Sequence, residues 1–95
     1  MNEGIFNEIA KRYDNEDRRH LAGVILNELK QHLVDTEDKV LLDYGAGSGL
    51  IGLELADQFN KVHLADVSSE MVEVLDKKIT LGNTGNAEAH EMNLL

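Results

Sequence analysis

The sequence predicts an α/β fold, a parallel sheet of about three strands with flanking helices. Two short apolar runs, "KVLLDYG" and "KVHLADV", read as strands, and segments of helical period surround them. Strands alternating with helices are joined by crossovers, which make neighbouring strands parallel. Four glycines then fall within residues 45–52, directly after the first strand. Open parallel sheets bind ligands at the carboxyl ends of their strands, so this loop is the place to look for a site.

Taken in order, residues 5–12 form a short helix with Ile5, Phe6 and Ile9 on one side. Asp14 or Asn15 caps a longer second helix, with Glu16 and Asp17 in its first turn, where negative charge suits the dipole. Leu21, Val24, Ile25, Leu29 and Leu33 share one face of it. "VDTEDK" is a polar connection. Val40, Leu41 and Leu42 are consecutive and apolar, the pattern of a parallel strand covered on both faces. Leu50, Ile51, Leu53, Leu55, Ala56 and Phe59 predict a well-buried helix after the glycines. The second strand ends at Asp66. Ser68 caps a further helix with Met71, Val72, Leu75 and Ile79 inward, and Gly82 ends it. "AEAHEMNLL" is a third strand. Right-handed crossovers give the strand order 3-2-1.

The chain has 95 residues, a formal net charge of −9 and no cysteine. A single modest core is the expectation. No apolar run reaches the ~20 residues that span a bilayer, and no signal peptide is visible at the start. The absence of cysteine excludes disulfides and thiolate metal sites and suits a reducing cytoplasm. The nine Lys and Arg are scattered, so direct nucleic-acid binding by this chain is not expected. His20, His32, His63 and His90 have no metal-binding spacing and read as surface or packing residues, and no metal is expected.

The glycines fit two patterns. Gly47, Gly49 and Gly52 form G-x-G-x-x-G, the fingerprint of a dinucleotide site. Gly45, Gly47 and Gly49, preceded by Asp43, form D-x-G-x-G-x-G, which describes more of the residues. A carboxylate at Asp43 repels a pyrophosphate and welcomes an amino group. Missing Cβ atoms allow close backbone approach, while Gly52 suits close packing. Asp66, ending the second strand, can accept two hydrogen bonds from a ribose diol. That supports an adenosine ligand and leaves the choice between a nicotinamide dinucleotide and S-adenosylmethionine to the first carboxylate.

The stretch "VLLDYGAGSGLIGLELA" followed by "VHLADVSSEMVEVLDKKI" resembles the class I S-adenosylmethionine-dependent methyltransferases. "FNEIAKRYDNEDRRHLA" is similar to the N-terminal helices that those enzymes place over the cofactor. The resemblance covers nearly the whole chain and implies a Rossmann-like fold, with residues 1–34 as a cofactor lid and 35–95 as the first half of the domain. It implies that Gly45, Ala46, Gly47 and Gly49 wrap the methionine part of S-adenosylmethionine and that Asp43 orients its amino group. It implies that Asp66 holds the ribose, Val67 lies against the adenine, and Asn93 and Leu94 stand at the adenine edge. Tyr13 becomes part of the lid.

The family's sheet has seven strands, of which this chain matches about three. The resemblance therefore implies methyl transfer, to a small-molecule acceptor, for a complete enzyme, and an inactive binding part for these residues alone. No residue stands out as a catalytic base. The first strand would be an open apolar edge, a template for self-association as a dimer. Two other readings stand beside this one: part of a nicotinamide-dependent oxidoreductase, and a non-enzymatic binding module of the same fold.

Overall fold

The computed structural model describes residues 2–94, the side chains of Asn2, Glu3 and Phe6 excepted; the expected inward place of Phe6 lies outside the described residues. The elements run α1 (Asn2–Tyr13), α2 (Glu16–His32), β1 (Val40–Tyr44), β2 (Lys61–Asp66), α3 (Ser69–Gly82) and β3 (Ala87–Glu91). The three strands are parallel and ordered β1-β2-β3. Read from the other edge, that is the expected 3-2-1.

Asn15 is the cap of α2: its side chain accepts the Arg18 amide at 2.9 Å. Ser68 caps α3 in the same way through Met71. The end of α3 lies one residue beyond the expectation, with Asn83 in the left-handed region at φ 52° and Gly82 still helical. Asparagine tolerates that conformation at a helix end. Asn86 then ties the loop before β3 to the core by donating to the carbonyls of Ala56 and Phe59 at 2.7 and 3.1 Å.

The core lies on one face of the sheet. Val62, Leu64 and Ala87 pack against Leu75 and Ala56, with Leu41, Leu53, Phe59, Ile79 and Ala89 around them. Side chains alternate along each strand. Val40, Leu42 and Tyr44 of β1 therefore face the other way, and all three are exposed. The apolar run of β1 suggests two covered faces, whereas α3 and the turns after β1 cover only one and α2 adds nothing to the sheet core. On α2 only Ala22 is buried, and Leu21, Val24, Ile25 and Leu29 are exposed. Among the described residues nothing in this chain covers that stripe.

The helix expected after the glycines is absent. Residues 50–55 form successive turns, followed by a short 3-10 helix, Ala56–Gln58. Two interactions mark where the regular pattern is lost. The Ser48 carbonyl, which would accept the Gly52 amide in an α-helix, accepts Lys78 Nζ at 2.6 Å. The Gly52 amide is bound to the Asp43 carboxylate instead. The segment continues on a mixture of three- and four-residue bonds, such as Leu53 to Gly49 and Leu55 to both Gly52 and Ile51. Leu55 and Ala56 are buried, so the apolar character of the segment is used without the regular helix.

The link between the N-terminal helices and the rest is polar and buried. Asp14, 4% exposed, sits between α1 and α2. It receives Lys78 Nζ of α3 at 2.5 Å and the hydroxyl of Ser48 in the glycine loop. The carboxylate thus joins three segments distant in sequence. Asp14→Ala is expected to lower stability by about 3–5 kcal/mol, because the Lys78 ammonium would stay buried without its counter-charge. The paired replacement Asp14→Leu with Lys78→Met is expected to cost much less. Urea unfolding of both variants checks this.

Candidate functional site

The glycine loop runs from the end of β1 under the start of α2. The Gly45 and Ala46 amides donate to the Ala65 carbonyl of β2 at 2.8 and 3.0 Å, so the loop starts against the neighbouring strand. Gly45, Gly47 and Gly49 all have positive φ, 76°, 58° and 82°. Such conformations strain residues that carry a Cβ. The three differ in their surroundings. A Cβ on Gly45 or Gly47 would meet nothing within 4 Å, whereas one on Gly49 would meet Leu75 at 2.7 Å and Leu53 at 2.8 Å. Gly49 is thus held by the core, while Gly45 and Gly47 border open space.

The space beside Gly45 is a cleft of about 270 Å³. Asp43, Gly45, Ala46 and Ser48 line one side, and Arg18, Leu21, Ala22 and Ile25 of α2 line the other, with Leu50 and Ile51 completing it. Burial raises the Asp43 carboxyl above its ordinary range, and the bond from the Gly52 amide opposes the rise. Gly52 itself is a packing position: a Cβ there would lie 2.6 Å from Leu64 and 2.7 Å from the Asp43 carboxylate.

Asp66 ends the adjacent strand, as expected, and it already binds backbone. Its Oδ2 accepts the Gly47 amide and its Oδ1 the Ser68 amide, each at 2.9 Å. Each carboxylate oxygen can accept a second bond, so both remain able to take a hydroxyl. The carboxylate therefore sets the loop's shape while keeping capacity for a ligand. Val67 follows it and is 59% exposed.

The chain beyond β3 returns across the strand ends. The Met92 amide donates to the Asp66 carbonyl at 3.0 Å, and the Leu94 amide to the Tyr44 hydroxyl at 3.1 Å. Asn93 lies between these two anchors and is exposed. Tyr13 stands apart from the cleft of Asp43. Partial desolvation and a hydrogen bond with Glu70, at the start of α3, raise its hydroxyl above the ordinary range, and the Arg12 guanidinium lies 5.5 Å from its ring centre.

Sequence reasoning missed Asp14, Lys78 and Tyr44. Asp14 reads as one acid among four polar residues at a helix start, and Lys78 as one of two adjacent lysines. Nothing local marks either one, since each is distinguished only by a partner far along the chain. Tyr44 carries a weak signal, being the one hydroxyl between Asp43 and the first glycine.

A glycine loop with left-handed residues, set between two carboxylates at adjacent strand ends, stands where open parallel sheets bind their ligands. The family model described as "Lysine methyltransferase" matches residues 13–95, and the chain belongs to that family. Ribosomal RNA small subunit methyltransferase A of Mycoplasma capricolum is 29% identical over 59 residues, covering 62% of this chain and 22% of that protein. Among solved structures, phosphoethanolamine N-methyltransferase 1 of Haemonchus contortus, in complex with phosphoethanolamine and S-adenosylhomocysteine, matches with a TM-score of 0.71. It is 17% identical and shares 97% of this chain and 21% of its own. A dimethyladenosine transferase from Plasmodium falciparum matches at 0.66, with 23% identity, 74% of this chain and 26% of its own. These two likenesses bear on the fold. The chain spans about a fifth of the length of the curated relative from Mycoplasma capricolum.

The comparisons correct one expectation. Net charge and scattered cations argue against nucleic acid, and a small-molecule acceptor was expected, yet a relative acts on ribosomal RNA by name. Charge counted over this chain says nothing about residues that other parts of such a protein contribute to an RNA surface. Among the described residues, no helix is long and apolar enough to cross a membrane.

Two outcomes test the site's construction. Asp43→Asn is expected to raise the urea midpoint at pH 7. A carboxyl whose folded pKa is raised loses stability as pH rises through the window above its unfolded value, so the ionised form is the costly one. The gain should vanish below the ordinary carboxylate range. Gly45→Ala is expected to cost only backbone strain, about 1–2 kcal/mol. Gly49→Ala should cost clearly more, since its Cβ also overlaps Leu75 and Leu53.

Proposed function

We propose that this chain forms the S-adenosylmethionine-binding part of a methyltransferase. The observation that carries the reading is the open cleft lined by Asp43, Gly45 and Ala46, with Asp66 on the next strand bound to the Gly47 amide of the same loop. The residues fit the group. Asp43 holds the methionine amino group, and Gly45, Ala46, Gly47 and Gly49 supply backbone around the methionine chain. Asp66 uses its remaining acceptor capacity on the ribose hydroxyls. Val67 offers an exposed apolar surface to the adenine, with Asn93 and Leu94 at its edge. Residues 1–34 act as the lid, α2 closing over the cleft and Tyr13 standing at its junction with α1. When bound, the cofactor supplies a methyl group on a positively charged sulfur, which suits a half-buried carboxylate nearby better than a pyrophosphate does.

Family membership supports a lysine side-chain amine as the methyl acceptor. The ribosomal RNA methyltransferase among the relatives supports a second reading, an RNA acceptor. The activity itself belongs to the complete protein, and the absence of cysteine suits a reducing compartment such as the cytoplasm.

Isothermal titration with S-adenosylhomocysteine tests the cofactor assignment. One saturable site is expected, weakened by about tenfold or more in Asp66→Asn, which loses the charge and one of the two acceptors that hold the Gly47 and Ser68 amides. Parallel titration with NADH is expected to show no binding. NADH binding without S-adenosylhomocysteine binding, in a chain shown folded by circular dichroism, would replace this reading with a nicotinamide site.

A further inference from the structure

The strand register brings together three residues that the sequence keeps apart. His63 on β2 pairs with Glu88 on β3, and His90 stands two residues further along β3, on the same side. This is the sheet face opposite the core, the one left open by α3. His63 Nδ1 and His90 Nε2 lie 2.9 Å apart, the rings tilted by 40° with centres 5.1 Å apart. With a Glu88 carboxylate oxygen, these nitrogens all fall within 4.8 Å of one another.

We propose that His63, His90 and Glu88 form a binding site for a divalent transition-metal ion of the zinc, cobalt or nickel class. Two imidazole nitrogens and one carboxylate are a donor set for these ions, whereas magnesium and calcium take mainly oxygen ligands. A tetrahedral ion with metal–nitrogen bonds of ~2.0–2.1 Å holds its ligand atoms about 3.3 Å apart. The imidazoles need to separate by only a few tenths of an ångström. They sit on two hydrogen-bonded strands, so most of the ordering is already present. Without metal, one nitrogen of the close pair carries a hydrogen. In the site that hydrogen moves to the far nitrogen of the same ring, leaving both facing lone pairs for the ion and releasing no proton from neutral rings. Three protein ligands leave a fourth position open to water on this accessible face.

A competing cation already sits beside the carboxylate. Lys61 Nζ lies 2.8 Å from Glu88 Oε2, so the carboxylate has to turn from the ammonium towards the ion. Lys61 therefore sets the affinity. Removing its charge both frees Glu88 and lessens repulsion of the cation.

Zinc chloride titrated into the whole chain, in a buffer without chelators, tests the proposal. One ion per chain is expected, and His63→Ala and His90→Ala should each weaken binding by at least about tenfold. Lys61→Met should tighten it several-fold. Substitution at either exposed surface histidine, His20→Ala or His32→Ala, should change nothing. In case the alanine variants fold poorly, the imidazole proton resonances of the unaltered chain provide an independent readout. Those of His63 and His90 should shift with zinc while those of His20 and His32 stay. Undetectable binding to the folded chain, shifts confined to His20 and His32, or binding weakened by Lys61→Met would each overturn the proposal.

Discussion

The buried pairing of Asp14 with Lys78 and Ser48 is the constraint on which the rest of the arrangement depends. Burying a carboxylate and an ammonium costs several kcal/mol per ion before their attraction is counted. Such a pair persists where both charges are well bonded, and here Asp14 takes Ser48 and Lys78 while Lys78 also takes the Ser48 carbonyl. One consequence is positional: the junction of α1 and α2 is fixed to the glycine loop, so α2 begins above the cleft. Another is local. The Ser48 carbonyl takes the Lys78 ammonium, and the chain after the glycines runs on through a mixture of three- and four-residue bonds in place of a regular helix.

That diverted turn connects the packing to the site. The Gly52 amide turns to Asp43, and the absence of a Cβ at Gly52 lets the turn come close enough to do so. Asp43 is then fixed from behind, its carboxyl raised by burial, and faces the same cleft as Gly45 and Ala46. Asp66 is fixed in the same manner by Gly47 and Ser68. Both carboxylates spend part of their bonding capacity on the loop that defines the cleft. This makes them positioning groups and candidate ligand groups at once.

The strands, the caps at Asn15 and Ser68, and the loop with its two acids were legible in the sequence because each has a local signature. Apolar runs, a capping side chain before a helix and glycines after a strand all lie within a few residues of what they determine. The helix over 50–59 was misread for the same reason. Its apolar pattern is helical, but the two groups bound where it is lost, Lys78 and Asp43, come from elsewhere in the chain. The stripe on α2 and the run in β1 announce burial that this chain does not supply. The meeting of His63 with Glu88 and His90 depends on strand register, which no spacing within one segment reveals.

The uncovered sheet face and the bare stripe of α2 leave a thermodynamic mark. The chain exposes 6437 Å² of surface, whereas a compact monomer of its 10.6 kDa mass would expose roughly 5,500 Å². Much of the excess is apolar: Val40, Leu42, Leu21, Val24 and Leu29 are wet in the native state. The heat capacity of unfolding scales with apolar surface newly hydrated, about 0.45 cal/K/mol for each Å². Surface already hydrated in the native state adds nothing to it. The curve of stability against temperature is therefore flatter than that of a closed domain of equal length, with a low maximum and weak curvature on either side.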